Sequence, residues 1–424
     1  MYISLRHQPA AGRDGPRSRA GAAPRVVVLL GLTSLFTDVS SEMITAILPV
    51  YLVLQLGLAP SQFGLVDGLY RGVSAVSGLA AGVVSDWLGR PKLVASMGYG
   101  LSALTRPLLL VASSVGSVAG LISLDRIGKG IRTAPRDAMI AEASPPGDLG
   151  HSFGVHRAMD TVGALLGPLV AFGVLLLLPG RFDAVFVVST AFALVGLAVV
   201  TLLVPERQKR LKAQSTGLAA CPPRLSRADL VALFRSRTLV TRVGLAGLLT
   251  LFTVSDAFLF IALLDRDPGL VKAFPLFAVG LALAYSVLAI PVGRLADRVG
   301  RMPLYLGGHV ALLAVYATIH GLPTGPVTAT VVALLLLGLF YAATDGVLAA
   351  AVSAALPDVS RASGMALVQT AVGVCGFVSS VGFGLLLTRL GSSDAYRVMA
   401  VGLSVALVIA VCLLRQDLTS AVSR

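Results

Sequence analysis

The sequence predicts an all-α membrane protein with twelve transmembrane helices in two pseudo-symmetric six-helix lobes. Three observations carry that expectation. Hydrophobic residues make up 56% of the 424 positions and charged residues only 13%, with a mean hydropathy of +0.86, whereas soluble domains are about a quarter charged. Apolar stretches of spanning length, about 20 residues each, recur along the whole chain. The two halves also repeat short patterns at a near-constant offset.

Residues 1–24, with Arg13-Asp14-Gly15-Pro16-Arg17, are polar and rich in Gly and Arg, the composition of a disordered tail. The expected spans are 26–56, 61–86, 92–113, 116–142, 151–178 and 183–204 in a first lobe (25–205). The second lobe (238–415) holds 239–264, 273–297, 302–320, 326–356, 362–388 and 396–414. Between the lobes, 206–237 is a basic linker containing Pro222-Pro223, and 416–424 is a short second tail. The repeat is visible in three places. Leu35-Phe36-Thr37 in span 1 returns as Leu251-Phe252-Thr253 in span 7. Gly82-x-x-x-Asp86-x-x-Gly89-Arg90 returns as Gly293-x-x-x-Asp297-x-x-Gly300-Arg301, and Val162-Gly163 as Val372-Gly373. Offsets of about 210–216 residues throughout argue for duplicated six-helix units.

The net charge of +13 reports topology. About 20 of the 34 Lys and Arg fall in segments that alternation places on one side, such as the runs Arg6 to Arg25 and Arg207 to Arg237. About five, including Arg181, Arg266 and Lys272, fall on the other. That asymmetry predicts cytoplasmic termini in a cell inner or plasma membrane, and argues against a nucleic-acid partner. Cys221, Cys375 and Cys412 are far apart and the histidines scattered, so neither a metal site nor a cofactor is expected.

The first half places about thirteen ionisable residues within its spans. Each would cost about 2.5–3.5 kcal/mol at the bilayer centre, or about 30 kcal/mol together, if it faced lipid. They must therefore face one another or a wet interior. Arg71, Arg106, Arg126, Lys129, Arg132, Arg136 and Arg157 stand against Asp38, Glu42, Asp67, Asp125, Asp137 and Asp160. The near-balance leaves two readings open, mutual salt bridging and an anion-binding site.

In span 1, Ser34, Asp38, Ser41, Glu42 and Thr45 recur at helical spacing, so both acids share one face. Two acids a turn apart disfavour simultaneous ionisation, which is how a carboxyl group becomes a proton carrier. The alternative is that a basic neighbour from span 4 holds each ionised. In span 4, Asp125, Arg126, Lys129, Arg132, Thr133, Arg136 and Asp137 fall within an arc of about 140° at about 100° per residue. Such fixed cations also suit a carboxylate or phosphate. In span 5, His156, Arg157 and Asp160 form a local cluster, read either as an ion pair or as a proton relay. Asp67 and Arg71, one turn apart in span 2, are expected to pair. Asp256 and Asp345 are the chief buried acids of the second half.

The element Gly82-Val83-Val84-Ser85-Asp86-Trp87-Leu88-Gly89-Arg90-Pro91-Lys92 resembles the signature loop of the major facilitator superfamily, with a weaker copy at Gly293 to Arg301. Arg126-Ile127-Gly128-Lys129-Gly130 is similar to that family's Arg-x-x-Gln-Gly motif, with Lys129 standing where Gln is usual. Gly163-x-x-x-Gly167-Pro168 is similar to the helix-bend motif of its drug:proton antiporter branches, with Val170-Ala171 in place of the closing Gly pair. The resemblance implies the major facilitator fold, with the first and fourth helices of each lobe lining a central site and the third and sixth facing lipid. Arg106, beside Pro107 in span 3, is the exception to that pattern. It also implies a secondary active transporter without enzymatic activity, working by alternating access as a monomer on a small-molecule substrate, with protons and the lipid bilayer as its other partners.

Under that resemblance, Asp38, Glu42, Arg126, Lys129, Arg132, Asp160, Asp256 and Asp345 are the candidate proton-coupling or substrate residues. Gly82, Asp86, Gly89, Arg90, Asp137, Asp297 and Arg301 are the candidate gating latch, with Arg90 reaching Asp137. The expected activity is proton-coupled export. Uptake or exchange of an organic anion on the span-4 cations is the alternative, and a non-transporting membrane sensor a remote one.

Overall fold

The computed structural model describes residues 24–88, 90–145, 148–206, 237–320, 325–354 and 361–422. The expected tail 1–24, the linker 206–237 and Gly89 lie outside the described residues, apart from Pro24, Glu206 and Arg237. Gly82 and Asp86 lie within a helix, but their side chains are outside what is described.

Among the described residues all regular structure is helical. The first half supplies α1 (Arg25–Val50), α2 (Pro60–Leu88), α3 (Pro91–Leu108), α4 (Val115–Ala143), α5 (Leu149–Leu177) and α6 (Phe182–Ala198). The second supplies α7 (Arg237–Leu251), α8 (Asp256–Arg266), α9 (Pro275–Val299), α10 (Arg301–His320), α11 (Pro326–Thr344), α12 (Val347–Ala354), α13 (Arg361–Leu390) and α14 (Ser392–Val422). Wider π-helical turns, Tyr51–Gln55 and Val199–Leu203, extend α1 and α6. Pro60, Pro91, Pro275 and Pro326 each open a helix, where a missing N–H costs nothing. Counting α7–α8 and α11–α12 as one span each, nine spans among the described residues are long and apolar enough to cross a membrane. The last helix runs through Val422, past the end expected at 415.

The chain divides into two compact units. The first comprises residues 1–45, 77–111 and 124–209, and the second 46–76, 112–123 and 210–424. Val27, Leu30, Ala95, Tyr99, Ile140 and Val200 form a buried core in the first. Close approach of α3 and α4 depends on two glycines: a β-carbon at Gly98 would lie 2.7 Å from the Gly128 carbonyl oxygen, and one at Gly128 would lie 2.8 Å from that of Gly98. Without side chains at the crossing, the helices approach backbone to backbone. In the second unit, Val292, Ala342 and Ala343 anchor α9 against α11.

Two spans expected to be continuous are interrupted. Span 7 stops at Leu251 and resumes at Asp256. Span 10 stops at Thr344 and resumes at Val347, with Gly346 at φ 45°, where a β-carbon would be strained. Inside a membrane a freed backbone group must find a partner within the protein. At the span 7 break, the Val254 N–H donates to Tyr316 Oη (2.8 Å), and that hydroxyl donates to the Phe252 carbonyl (3.0 Å). Ser379 Oγ donates to the Thr253 carbonyl at 2.8 Å. At the end of α12, Arg301 donates to the Ala350 carbonyl at 2.9 Å and Arg242 to that of Ala351, where cations complement the negative helix terminus. Tyr316→Phe removes both hydrogen bonds of one hydroxyl and leaves a buried amide unpaired. It should lower stability by about 1–3 kcal/mol, read as an earlier thermal unfolding transition in detergent.

Candidate functional site

The first unit collects the charged faces of α1, α4 and α5, and its ion pairs sort into a sealed group and an open one. In the sealed group, Arg106 reaches from α3 to Asp125 at 2.6 Å, with both side chains under 10% exposed. Arg126 binds the other oxygen of the same carboxylate. Arg106 also donates to Ser41 Oγ (2.9 Å), Ser40 Oγ (3.3 Å) and Thr105 Oγ1 (3.0 Å). A guanidinium in span 3, an outlier in the sequence, is thus a tie between α1, α3 and α4. Arg126 is bound to Asp125.

In the open group, Arg132 approaches Asp38 at 3.5 Å while its guanidinium stacks 4.6 Å above the Tyr99 ring. Asp38 remains 16% exposed. Lys129 and Glu42 are half-buried. Among the described residues, neither Lys129 nor Glu42 has an ion-pair partner within 4.0 Å. Span 1 is pressed against α5 at these acids: β-carbons at Gly163 and Gly167 would lie 3.2 Å from Asp38 Cβ and 2.7 Å from Glu42 Cβ. The helix-bend motif of α5 therefore forms the seat of the two carboxylates.

A third chain of contacts runs through Ser34. Arg136 donates to Ser34 Oγ at 3.2 Å and also binds Asp137 at 3.0 Å. Ser34 Oγ lies 3.0 Å from His156 Nε2, and His156 Nδ1 lies 3.7 Å from Asp160. Arg157 is 3.9 Å from the same Asp160 oxygen. His156 thus lies between the Ser34 hydroxyl and the Asp160 carboxylate, within hydrogen-bond reach of the first only. Asp137 is held within its own helix, while Arg90 is exposed with no ion pair among the described residues.

In the second unit the acids sit at the helix interruptions. Asp256 opens α8, and Tyr341 Oη donates to both its carboxylate oxygens, at 2.8 and 2.7 Å. Asp345 caps α11 at the other break. Asp67 pairs with Arg71 at 3.6 Å, as the one-turn spacing predicts, and accepts from Ser380 Oγ at 2.5 Å. Arg71 is the strongest opposite charge acting on Asp256. Arg301 stands 3.9 Å from Asp297, one turn away, besides holding α12. Sequence reasoning missed Tyr99, Tyr316 and Tyr341, each of which partners a group distant along the chain. Ser34 and Ser41 did share the Asp38 face. Among the described residues no cluster of His, Cys, Asp or Glu could hold a metal ion.

Comparison with known proteins places this architecture. A transporter of uncharacterised function from Methanocaldococcus jannaschii is 31% identical over 287 residues, covering 67% of this chain and 69% of that protein. The crystal structure of the nucleoside transporter NupG superposes with a TM-score of 0.73 at 15% identity, over 92% of this chain and 98% of that one. A bacterial homologue of the human lysosomal transporter Spinster, in an inward-facing state, gives 0.72 at 14% identity, over 91% and 94%. At such identities these two structures share the fold alone. The profile of the Major Facilitator Superfamily matches residues 30–281 and again 271–422, which between them take in both halves of the internal repeat. The chain therefore belongs to the major facilitator superfamily, and is a multi-pass secondary transporter of the membrane, not an enzyme.

Proposed function

We propose that this transporter exports a small organic molecule in exchange for protons. The observation that carries the reading is the division within the first unit: Arg106, Arg126 and Asp125 are sealed together, while Asp38, Glu42 and Lys129 remain partly open. In this reading Asp38 carries the proton. Deprotonated, it holds Arg132; protonated, it releases that guanidinium, and Lys129 then faces Glu42 alone. Substrate entering from the cytoplasm displaces the proton, and the two lobes alternate access around the site. Arg126 serves to hold α4 in register with α3. Within the second unit, Asp256 and Asp345 stand at the interrupted helices, where broken membrane helices expose polar backbone that can bind ligands. His156 and Asp160 connect the site to Arg136. The latch of Asp86, Arg90 and their repeats Asp297 and Arg301 gates the cytoplasmic side, on which both termini lie. The protein acts as a monomer in the cell inner membrane.

Substrate-dependent proton flux tests this. Purified protein in liposomes carrying an internal pH dye should release protons when substrate is added, and an imposed pH gradient should accumulate substrate. Substrate flux with no proton movement would overturn the coupling. Faster entry of simple organic anions, independent of the gradient, would favour anion exchange on the α4 cations. The pairing of Arg126, Arg132 and Arg136 with carboxylates leaves Lys129 alone for such a role. Substrate binding without any flux would indicate a sensor.

A further inference from the structure

We propose that the first-unit site takes a zwitterion, with an ammonium-type group on Glu42 and a carboxylate or phosphate on Lys129. The inference rests on the transport reading and names its substrate class. It follows from pairing off the charges of the unit's interior. Arg106 and Arg126 share Asp125, Arg132 holds Asp38, Arg136 holds Asp137, and Arg157 lies beside Asp160. Among the described residues, that leaves one residue of each sign without a contact partner, Glu42 on α1 and Lys129 on α4. Both are half-buried, and each stands one helical turn from the Asp38–Arg132 pair on the same two helices. They do not touch: no oppositely charged group lies within 4.0 Å of either among the described residues.

Opposite charges that stand apart in a half-buried setting are satisfied by something lying between them. A cationic ligand would answer Glu42 and leave Lys129 without a counter-charge. An anionic ligand would do the reverse. Either leaves an uncompensated charge, which is strongly unfavourable in a buried setting. A zwitterion oriented opposite to the Glu42–Lys129 direction answers both.

Two further atoms repeat the pattern. Arg132 Nη1 and Asp160 Oδ1 are buried without a hydrogen-bond partner, one donor and one acceptor, and the Arg132 side chain is only 3% exposed. On the acid side the backbone is closely packed, since a β-carbon at Gly167 would lie 2.7 Å from Glu42 Cβ.

The experiment compares matched probes on the full chain in proteoliposomes and in detergent. Zwitterions (γ-aminobutyrate, dialanine and phosphoethanolamine) are set against singly charged analogues, butylamine and butyrate. Thermal protection in detergent is read beside gradient-driven uptake, so that binding is scored even where no flux occurs. At least one zwitterion should protect and be taken up at least tenfold better than either singly charged analogue. E42Q should move the preference towards butyrate, and K129Q towards butylamine. K129R should retain the zwitterion, and the exchanged pair E42K/K129E should recover it, which a merely structural role would not produce. Protection by none of the zwitterions, or a K129Q preference identical to the wild type, overturns the proposal. Zwitterion binding with the expected charge switching but no proton movement would sustain the site and overturn proton coupling instead.

Discussion

Asp38→Asn should reduce gradient-driven substrate accumulation to the level of protein-free liposomes, while substrate-for-substrate exchange persists and loses its dependence on pH. Asn matches Asp in size and keeps one acceptor oxygen for Arg132, but it cannot bind or release a proton. Removing one partner of a buried ion pair outright costs about 3–5 kcal/mol. Here the retained oxygen and the Tyr99 ring beneath the guanidinium, at 4.6 Å, offset part of that loss. The variant should therefore fold, and flux normalised to protein amount reads coupling rather than yield. Glu42→Gln separates the two acids: it should alter substrate preference while leaving a pH-driven component for any substrate still carried. If Asp38→Asn accumulates substrate as the wild type does, the proton is carried elsewhere, and Asp256 becomes the next group to test.

Much of this arrangement was legible in the sequence because its signals are periodic. A helix face is set by spacing within one segment, so the charged faces of α1 and α4 and the Asp67–Arg71 pair could be read directly. The duplicated patterns gave twelve spans in two halves for the same reason. What the spacing could not give was the helix lying opposite each face. Asp38 on α1 meets Arg132 on α4, and Arg106 on α3 reaches Asp125 on α4 where glycines at 98 and 128 let those two helices approach closely. The helix interruptions escaped for a related reason. An unbroken apolar run is the economical reading of span 7 until Tyr316 and Ser379, far along the chain, are seen to satisfy its freed backbone groups. A local trace was present. Ser255-Asp256 is favourable helix-start chemistry, and Thr344-Asp345-Gly346 carries turn residues. Both sit at the helical interruptions, which apolar runs on either side concealed.

The largest stability loss should come from Asp125→Asn, exceeding that of Arg106→Ala. One carboxylate is shared by two guanidiniums in the sealed group, Arg106 at 2.6 Å and Arg126 beside it. Arg106→Ala removes one of two cations and leaves Asp125 still paired, although it also strips Ser40 and Ser41 of a donor. Asp125→Asn removes the counter-charge the two arginines share, and leaves like charges facing each other at side-chain exposures of 3% and 5%. Breaking a buried pair from one side costs about 3–5 kcal/mol, and the shared carboxylate should reach at least the upper end of that range. Thermal unfolding in detergent should order the proteins as wild type, Arg106→Ala, then Asp125→Asn, with the last recovered in the smallest monodisperse fraction. Whatever fraction folds should still couple flux to the pH gradient, because the sealed group anchors helices and exchanges no proton. An Asp125→Asn protein that melts like the wild type yet transports without coupling would reverse that assignment, placing the proton on Asp125 and making Asp38 the anchor.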